Sequence, residues 1–160
     1  MVGEPTVSFI MPVYGGETFV GEAIESVLAQ TDDDWELVVI NDGSPDDSEA
    51  VIEAYLDDDR IRYFSQDNQG VTETTNRGIR YAEGEYLSIH PQDDISAPDR
   101  LERQGAVLDR NPDVGFVYAP AQFVNLAGEE GQVWGSWRGE GRVPGADVFR
   151  ELYVNGMFIA

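Results

Sequence analysis

Trp35-Glu36-Leu37-Val38-Val39-Ile40-Asn41-Asp42-Gly43-Ser44-Pro45-Asp46 is the stretch from which the fold can be read. An apolar, β-branched run from Leu37 to Ile40 makes a short buried strand. Asn41 to Pro45 supplies residues that turn a chain, and a helix is expected from Asp46 to Leu56. The same strand, turn and helix order recurs on both sides. Upstream, Val7 to Met11 is a strand that Pro12 stops, followed by a helix from Glu17 in which Phe19, Val20, Ala23, Ile24, Val27 and Leu28 recur at helical spacing. Glu17 and Glu22 lie near its start, where the helix dipole favours them. Downstream come strand Ile61 to Phe64, helix Val71 to Ala82, strand Tyr86 to Ile89 and helix Pro98 to Asp109, with proline allowed in the first turn. A fifth strand is expected at Val114 to Tyr118. Strands separated by helices of this length imply crossover connections and a three-layer α/β/α fold with a mostly parallel sheet.

The rhythm changes at Ala121. Gln122 to Asn125 and Gln132 to Trp137 flank the Gly128 to Gly131 turn as an antiparallel hairpin at or beside the sheet edge. A glycine-rich loop (Gly139 to Gly145), a short helix (Ala146 to Tyr153) and the start of another strand (Asn155 to Ala160) are expected after it. The 160 residues suit one domain, expected to be truncated on its C-terminal side because it stops on an apolar run.

Composition narrows the partners. The chain carries 31 acidic residues against 10 basic ones, a formal net charge of −21. All ten basic residues are arginine. An acidic, lysine-free surface suits a halophile, since the Debye length is roughly 3 Å at 1 M salt; an ordinary acidic cytosolic protein is the plainer alternative. Nucleic acid is not an expected partner, because no basic stripe is present. With no cysteine, disulfides and thiolate chemistry are excluded. The N-terminus lacks a basic leader and the run Val7 to Val13 is too short to span a bilayer, so no membrane segment is expected here. The expected location is the cytoplasm, with any membrane association carried by segments beyond Ala160.

Three strand ends carry polar groups: Pro12-Val13-Tyr14 with Glu17, Asn41-Asp42, and Pro91-Gln92-Asp93-Asp94. Parallel strands bring these ends to one edge, where ligands of open α/β sheets collect. Asn41 to Ser44 taken singly is a turn and cap sequence; the three ends together indicate a site. Carboxylates in the Pro91 to Asp94 turn suit a hard divalent cation shared with a diphosphate. Asp32 to Asp34 and Asp57 to Asp59 fall at the opposite edge and read as solvated charge. His90, the sole histidine, reads as structural, and no HExxH zinc segment exists. Trp134 and Trp137 could stack on a sugar or pack in a core. A P-loop is impossible without lysine, and no GxGxxG follows the first strand.

Val7 to Tyr14, Ala23 to Thr31, Glu36 to Asp46, Asn68-Gln69-Gly70, Asn76-Arg77-Gly78-Ile79, Gly84-Glu85-Tyr86 and Gln92-Asp93-Asp94 before Pro98-Asp99-Arg100-Leu101 stand in one order and spacing. In these the chain resembles the family 2 glycosyltransferases of the GT-A fold, from about Val7 to Asn125. The resemblance implies transfer of a sugar from a nucleotide-diphosphate donor to an acceptor hydroxyl with inversion. It implies that Pro12, Val13, Tyr14 and Glu17 border the base and ribose, that Asp42 bonds the base, and that Asn41, Gly70 and Asn76 belong to the donor site. Gln92 would face the ribose or diphosphate, and Asp93 would bind Mg²⁺ or Mn²⁺ as the carboxylate of a DxD motif, with Asp94 a second candidate ligand.

Two departures stand out. Pro91 occupies the first acidic position of DxD, and Thr75 stands where many members have arginine. The catalytic base is expected beyond Ala160, so the fragment is expected to bind donor with little or no turnover. The acceptor, whether saccharide, lipid-linked or protein, is not named by these residues. A non-catalytic glycosyltransferase-like binding module is the alternative.

Overall fold

The structure is a computed structural model that describes residues 5–125 and 127–134. The chain divides into two compact units, Met1–Arg110 and Asn111–Ala160. The first contains β1 (Val7–Val13), α1 (Val20–Leu28), β2 (Trp35–Asn41), α2 (Ser48–Glu53), β3 (Ile61–Ser65), α3 (Val71–Tyr81), β4 (Tyr86–Ile89) and α4 (Arg100–Arg110). Its four strands lie in the order β3-β2-β1-β4, all parallel.

Alternation along the two central strands sorts side chains to two faces. Phe9, Met11, Val13, Leu37 and Val39 form one buried cluster with Ala23, Ile24 and Val27 of α1, Ile52 of α2 and Leu101 of α4. Burying side chains such as Ile24 and Val27 contributes roughly 1.5–3 kcal/mol each. Ile10, Val38 and Ile40 turn to the other face, where Phe64, Tyr81 and Ala82 pack on them. Three helices thus cover one face and α3 the other, which is the expected three-layer arrangement. Gly78 explains how closely α3 lies on the sheet: a side chain there would overlap Ile10.

The strand starts are also tied. Glu36, buried in β2, accepts hydrogen bonds from Ser8 Oγ (2.6 Å), the Glu83 backbone N–H (2.6 Å) and Arg62 (2.7 Å). Burial alone would raise its carboxyl; these donors hold it below the ordinary glutamate value.

β1 runs past Pro12 to Val13, two residues longer than its sequence suggests. Its ladder with β2 continues to the Val13–Asn41 pair, but its ladder with β4 ends at Ile10–Ile89. Alternate residues of a strand face alternate neighbours. Val13 accepts from Asp42 N–H on the β2 side, and Ile10 accepts from His90 N–H on the β4 side. Pro12 therefore presents its missing N–H towards β4, and the two strands part there.

In the second unit, β5 (Ala121–Val124) and β6 (Glu130–Trp134) form a two-stranded antiparallel sheet of their own. The strand expected at Val114 to Tyr118 is not formed among the described residues. Gly115 weakens the run, Pro120 follows it, and no described strand pairs with it; an apolar pattern makes a strand only where a ladder partner exists. α2 is also shorter than expected because the residues on either side of it are turns. The loop, helix and strand expected after Gly139, and Trp137, lie outside the described residues.

Candidate functional site

Where β1 and β4 part, the carboxyl ends of β1, β2 and β4 and the first turn of α3 surround a cleft of about 350 Å³. Chain order reverses direction at this point in the sheet, since β2 and β3 lie to one side of β1 and β4 to the other. Crevices of this kind are where open α/β sheets hold ligands. Pro12, Val13, Tyr14 and Ile89 give the cleft an apolar floor, and Asp42 and Asp93 stand among its polar lining.

Asp42 follows β2 and is only 3% exposed. Its Oδ1 accepts from Gln66 Nε2 (2.6 Å) and Gln69 N–H (2.8 Å), and its Oδ2 accepts from Gly70 N–H (2.8 Å). Burial pushes the carboxyl up, but donors from Gln66, Gln69, Thr74 and Gly70 outweigh it and hold the group below the ordinary aspartate value. Gln66 is oriented in turn by Arg77, which donates to its Oε1 at 2.6 Å. Asp42 thereby pins the loop that leads into α3, with its negative charge at the helix N-terminus.

The acidic turn after β4 differs. Asp93 and Asp94 are exposed, and the turn is closed by Asp94 N–H donating to the Pro91 carbonyl (3.2 Å). Partial burial and the neighbouring Asp93 charge raise the Asp94 carboxyl, opposed by Arg100. Gln92 spends its amide on Tyr14: Oε1 accepts from Tyr14 N–H at 2.8 Å and Nε2 donates to Tyr14 C=O at 3.1 Å. Beneath the turn, His90 is 1% exposed, against the edge of Phe9 and within 3.4 Å of Ser26 Oγ and Ser96 Oγ. Burial, and then the Arg100 charge, lower it to about 4, so it is a neutral packing residue at ordinary pH.

Of the residues singled out from sequence, the cleft brings together Pro12, Val13, Tyr14, Asp42, Gly70, Gln92 and Asp93. Four others do not line it. Asn41 is buried, accepting from Ser44 N–H and donating to Tyr63. Glu17 accepts from Asp47 N–H ahead of α2. Asn76 is exposed on α3, and Asp94 lies beside the cleft rather than in its wall. Gln66 and Arg77 were not legible as site residues, since their part lies in holding Asp42. At the far edge Asp32 to Asp34 are exposed and Asp58 pairs with Arg60 at 2.7 Å. Among the described residues no group of three or more His, Asp or Glu is gathered to hold a metal ion.

Comparison with known proteins gives the family. The family model for glycosyl transferase family 2 matches residues 8–151. The chain belongs to that family. An uncharacterized glycosyltransferase of Rickettsia felis is 44% identical over 126 residues, spanning 78% of this chain and 21% of that protein. The putative glycosyltransferase EpsH of Bacillus subtilis is 38% identical over 120 residues, spanning 74% of this chain and 35% of its own length. This glycosyltransferase domain thus spans well under half of the curated relatives it matches. Among solved structures, S. aureus TarS 1-349 in complex with UDP-GlcNAc superposes with a TM-score of 0.63 at 25% identity, covering 66% of this chain and 32% of that one. The Pyrobaculum calidifontis mannosyltransferase PcManGT, in complex with GDP-Man and Mn²⁺, shares the fold at 23% identity, with a TM-score of 0.61 over 66% of this chain and 33% of that one. No helix among the described residues is long and apolar enough to cross a membrane.

Proposed function

We propose that the cleft between β1 and β4 binds a nucleotide-diphosphate sugar and that the domain serves inverting transfer of the sugar to an acceptor hydroxyl. The observation that carries this is the pairing, in one cleft of a family 2 domain, of an apolar floor suited to a base with a carboxylate turn suited to a cation. The TarS complex with UDP-GlcNAc, at 25% identity, supports a uridine diphosphate sugar as the first donor to test. Pro12, Val13, Tyr14, Asp42 and Gly70 would hold the base and ribose, and Gln92 and Asp93 lie at the diphosphate end. Asn41, Glu17 and Asn76 would act from outside the wall.

The residues of the turn fit a hard divalent cation. Two adjacent, exposed carboxylates repel one another; Asp93, with Asp94 beside it, would hold the cation, whose charge would relieve that repulsion. Mg²⁺ or Mn²⁺ bound there would neutralise the charge that develops on the departing diphosphate. This chain's residues would do the rest of the donor-side work, binding and orienting the donor. The acceptor and the general base are assigned to no described residue, and the domain is taken to work in the cytoplasm.

Calorimetry with UDP-GlcNAc and GDP-mannose, with Mn²⁺ or with EDTA, tests the proposal. Binding that tightens with Mn²⁺ and loses that gain in Asp93→Ala is the expected result; metal-independent or absent binding would favour a non-catalytic module. We also propose adaptation to high salt, on the net charge of −21 and the arginine-only basic set. Thermal melts should rise between dilute buffer and molar KCl, and a flat profile would remove the idea.

A further inference from the structure

The ladder between β1 and β4 has a gap that a side chain bridges. In register, the β4-facing backbone groups continue from Ile10 through Pro12 of β1 to Tyr14 just beyond it. Ile10 C=O accepts from His90 N–H at 2.9 Å. The next bond would need an N–H on Pro12, which has none. The backbones separate there, yet Tyr14 is not left unpaired. The Gln92 carboxamide meets it with both groups, Oε1 accepting at 2.8 Å and Nε2 donating at 3.1 Å, as a peptide unit of a neighbouring strand would.

Gly16 makes room for this. A Cβ at position 16 would lie 2.7 Å from Gln92 Oε1 and 2.9 Å from its carboxamide carbon. Gly16 is not among the glycines at positive φ, so space rather than backbone conformation is what a side chain would violate. The other ties of this loop run towards α2 and the turn before it: Gly15 N–H to Ser44 Oγ, Gly16 N–H to Ser48 Oγ and Glu17 N–H to Asp46. Gln92 alone among these ties runs across to the acidic turn.

We propose that Gln92 is a positioning residue, a side-chain splint across the Pro12 gap that fixes where Asp93 stands relative to Tyr14, with Gly16 as the space it requires. The inference rests on the donor and cation reading above and deepens it. Loss of the splint should leave the β1–α1 loop anchored on its α2 side while the acidic turn shifts. Cation-dependent binding then suffers first.

The readout is the metal increment, the ratio of the UDP dissociation constant in EDTA to that in Mn²⁺, measured on the whole chain. Gln92→Ala removes two hydrogen bonds and should lower the increment roughly tenfold. Gly16→Ala, outside the cleft wall, should lower it by a similar factor while UDP binding in EDTA stays within about twofold and the melting temperature holds, a split that general loss of structure would not give. In the double variant the shortened side chain at position 92 vacates the space that the added methyl at position 16 claims, so the second substitution should add nothing. Tyr14 amide exchange, followed without ligand, should quicken in Gln92→Ala. An unchanged increment in both single variants, or full additivity in the double, overturns the splint while leaving the donor site standing. A wild-type chain that shows no metal-dependent UDP or GDP binding overturns the donor reading, and the splint's role with it.

Discussion

Asp42 and Asp93 each follow a strand of one sheet and line one cleft, yet the protein treats them in opposite ways. Asp42 is buried and receives three hydrogen bonds from Gln66, Gln69 and Gly70. Asp93 is exposed beside a second carboxylate whose ionisation is disfavoured by burial and by that proximity. A carboxylate supplied with donors holds a loop in place; a crowded, exposed pair is a place for a cation. The type of residue at a strand end therefore says less about its task than the donors around it.

Substitution at the two ends should give crossed outcomes. The largest effect expected is loss of the Mn²⁺-dependent gain in nucleotide affinity in Asp93→Ala, on the order of a hundredfold, with the melting temperature unchanged. A fall in melting temperature equal to that of an Asp42 variant would erase the distinction between the two ends. Asp42→Asn should cost about 3 kcal/mol of stability, since an amide cannot accept at both positions where N–H groups point. That cost depends on pH with a definite sign. The Asp42 carboxyl is depressed below 3.8 in the folded state, so its contribution is complete above that value and disappears as pH falls through the folded pKa. Denaturant melts of wild type and Asp42→Asn should differ by a constant amount above about pH 5 and converge in acid.

A smaller effect sharpens the same contrast from beneath the acidic turn. His90 is lowered from 6.5 to about 4 by burial and by Arg100, so the unfolded chain takes up its proton first as pH falls. Its contribution is complete above pH 6.5 and is lost between there and about 4. Wild type should weaken over that window by roughly 2–3 kcal/mol more than His90→Gln, read as the difference between two urea titrations at each pH. Equal slopes would mean that water reaches the imidazole.

Much of this architecture was legible because the strands announce themselves. Leu37 to Ile40 and Tyr86 to Ile89 are strands in the structure, and their shared direction follows from the helices between them. The three polar strand ends did meet, as parallel crossovers require. Pattern failed where a partner was needed: Val114 to Tyr118 has strand composition but no ladder among the described residues. It also failed for supports. Nothing in the local sequence marks Gln66 as the donor to Asp42, or Arg77 as what orients Gln66, because those roles exist only once β3 and α3 bring residues together. Gln92 was readable as part of the turn, while its grip on Tyr14 spans 78 positions of sequence.

Pro12 has a consequence for how such a domain can change. The opening between β1 and β4 begins where an imide nitrogen cannot donate, so its position is a main-chain property. The side chains around the opening can then be exchanged for different donors without the strands zipping shut. Variation gains a fixed aperture to work on, held by one absent hydrogen.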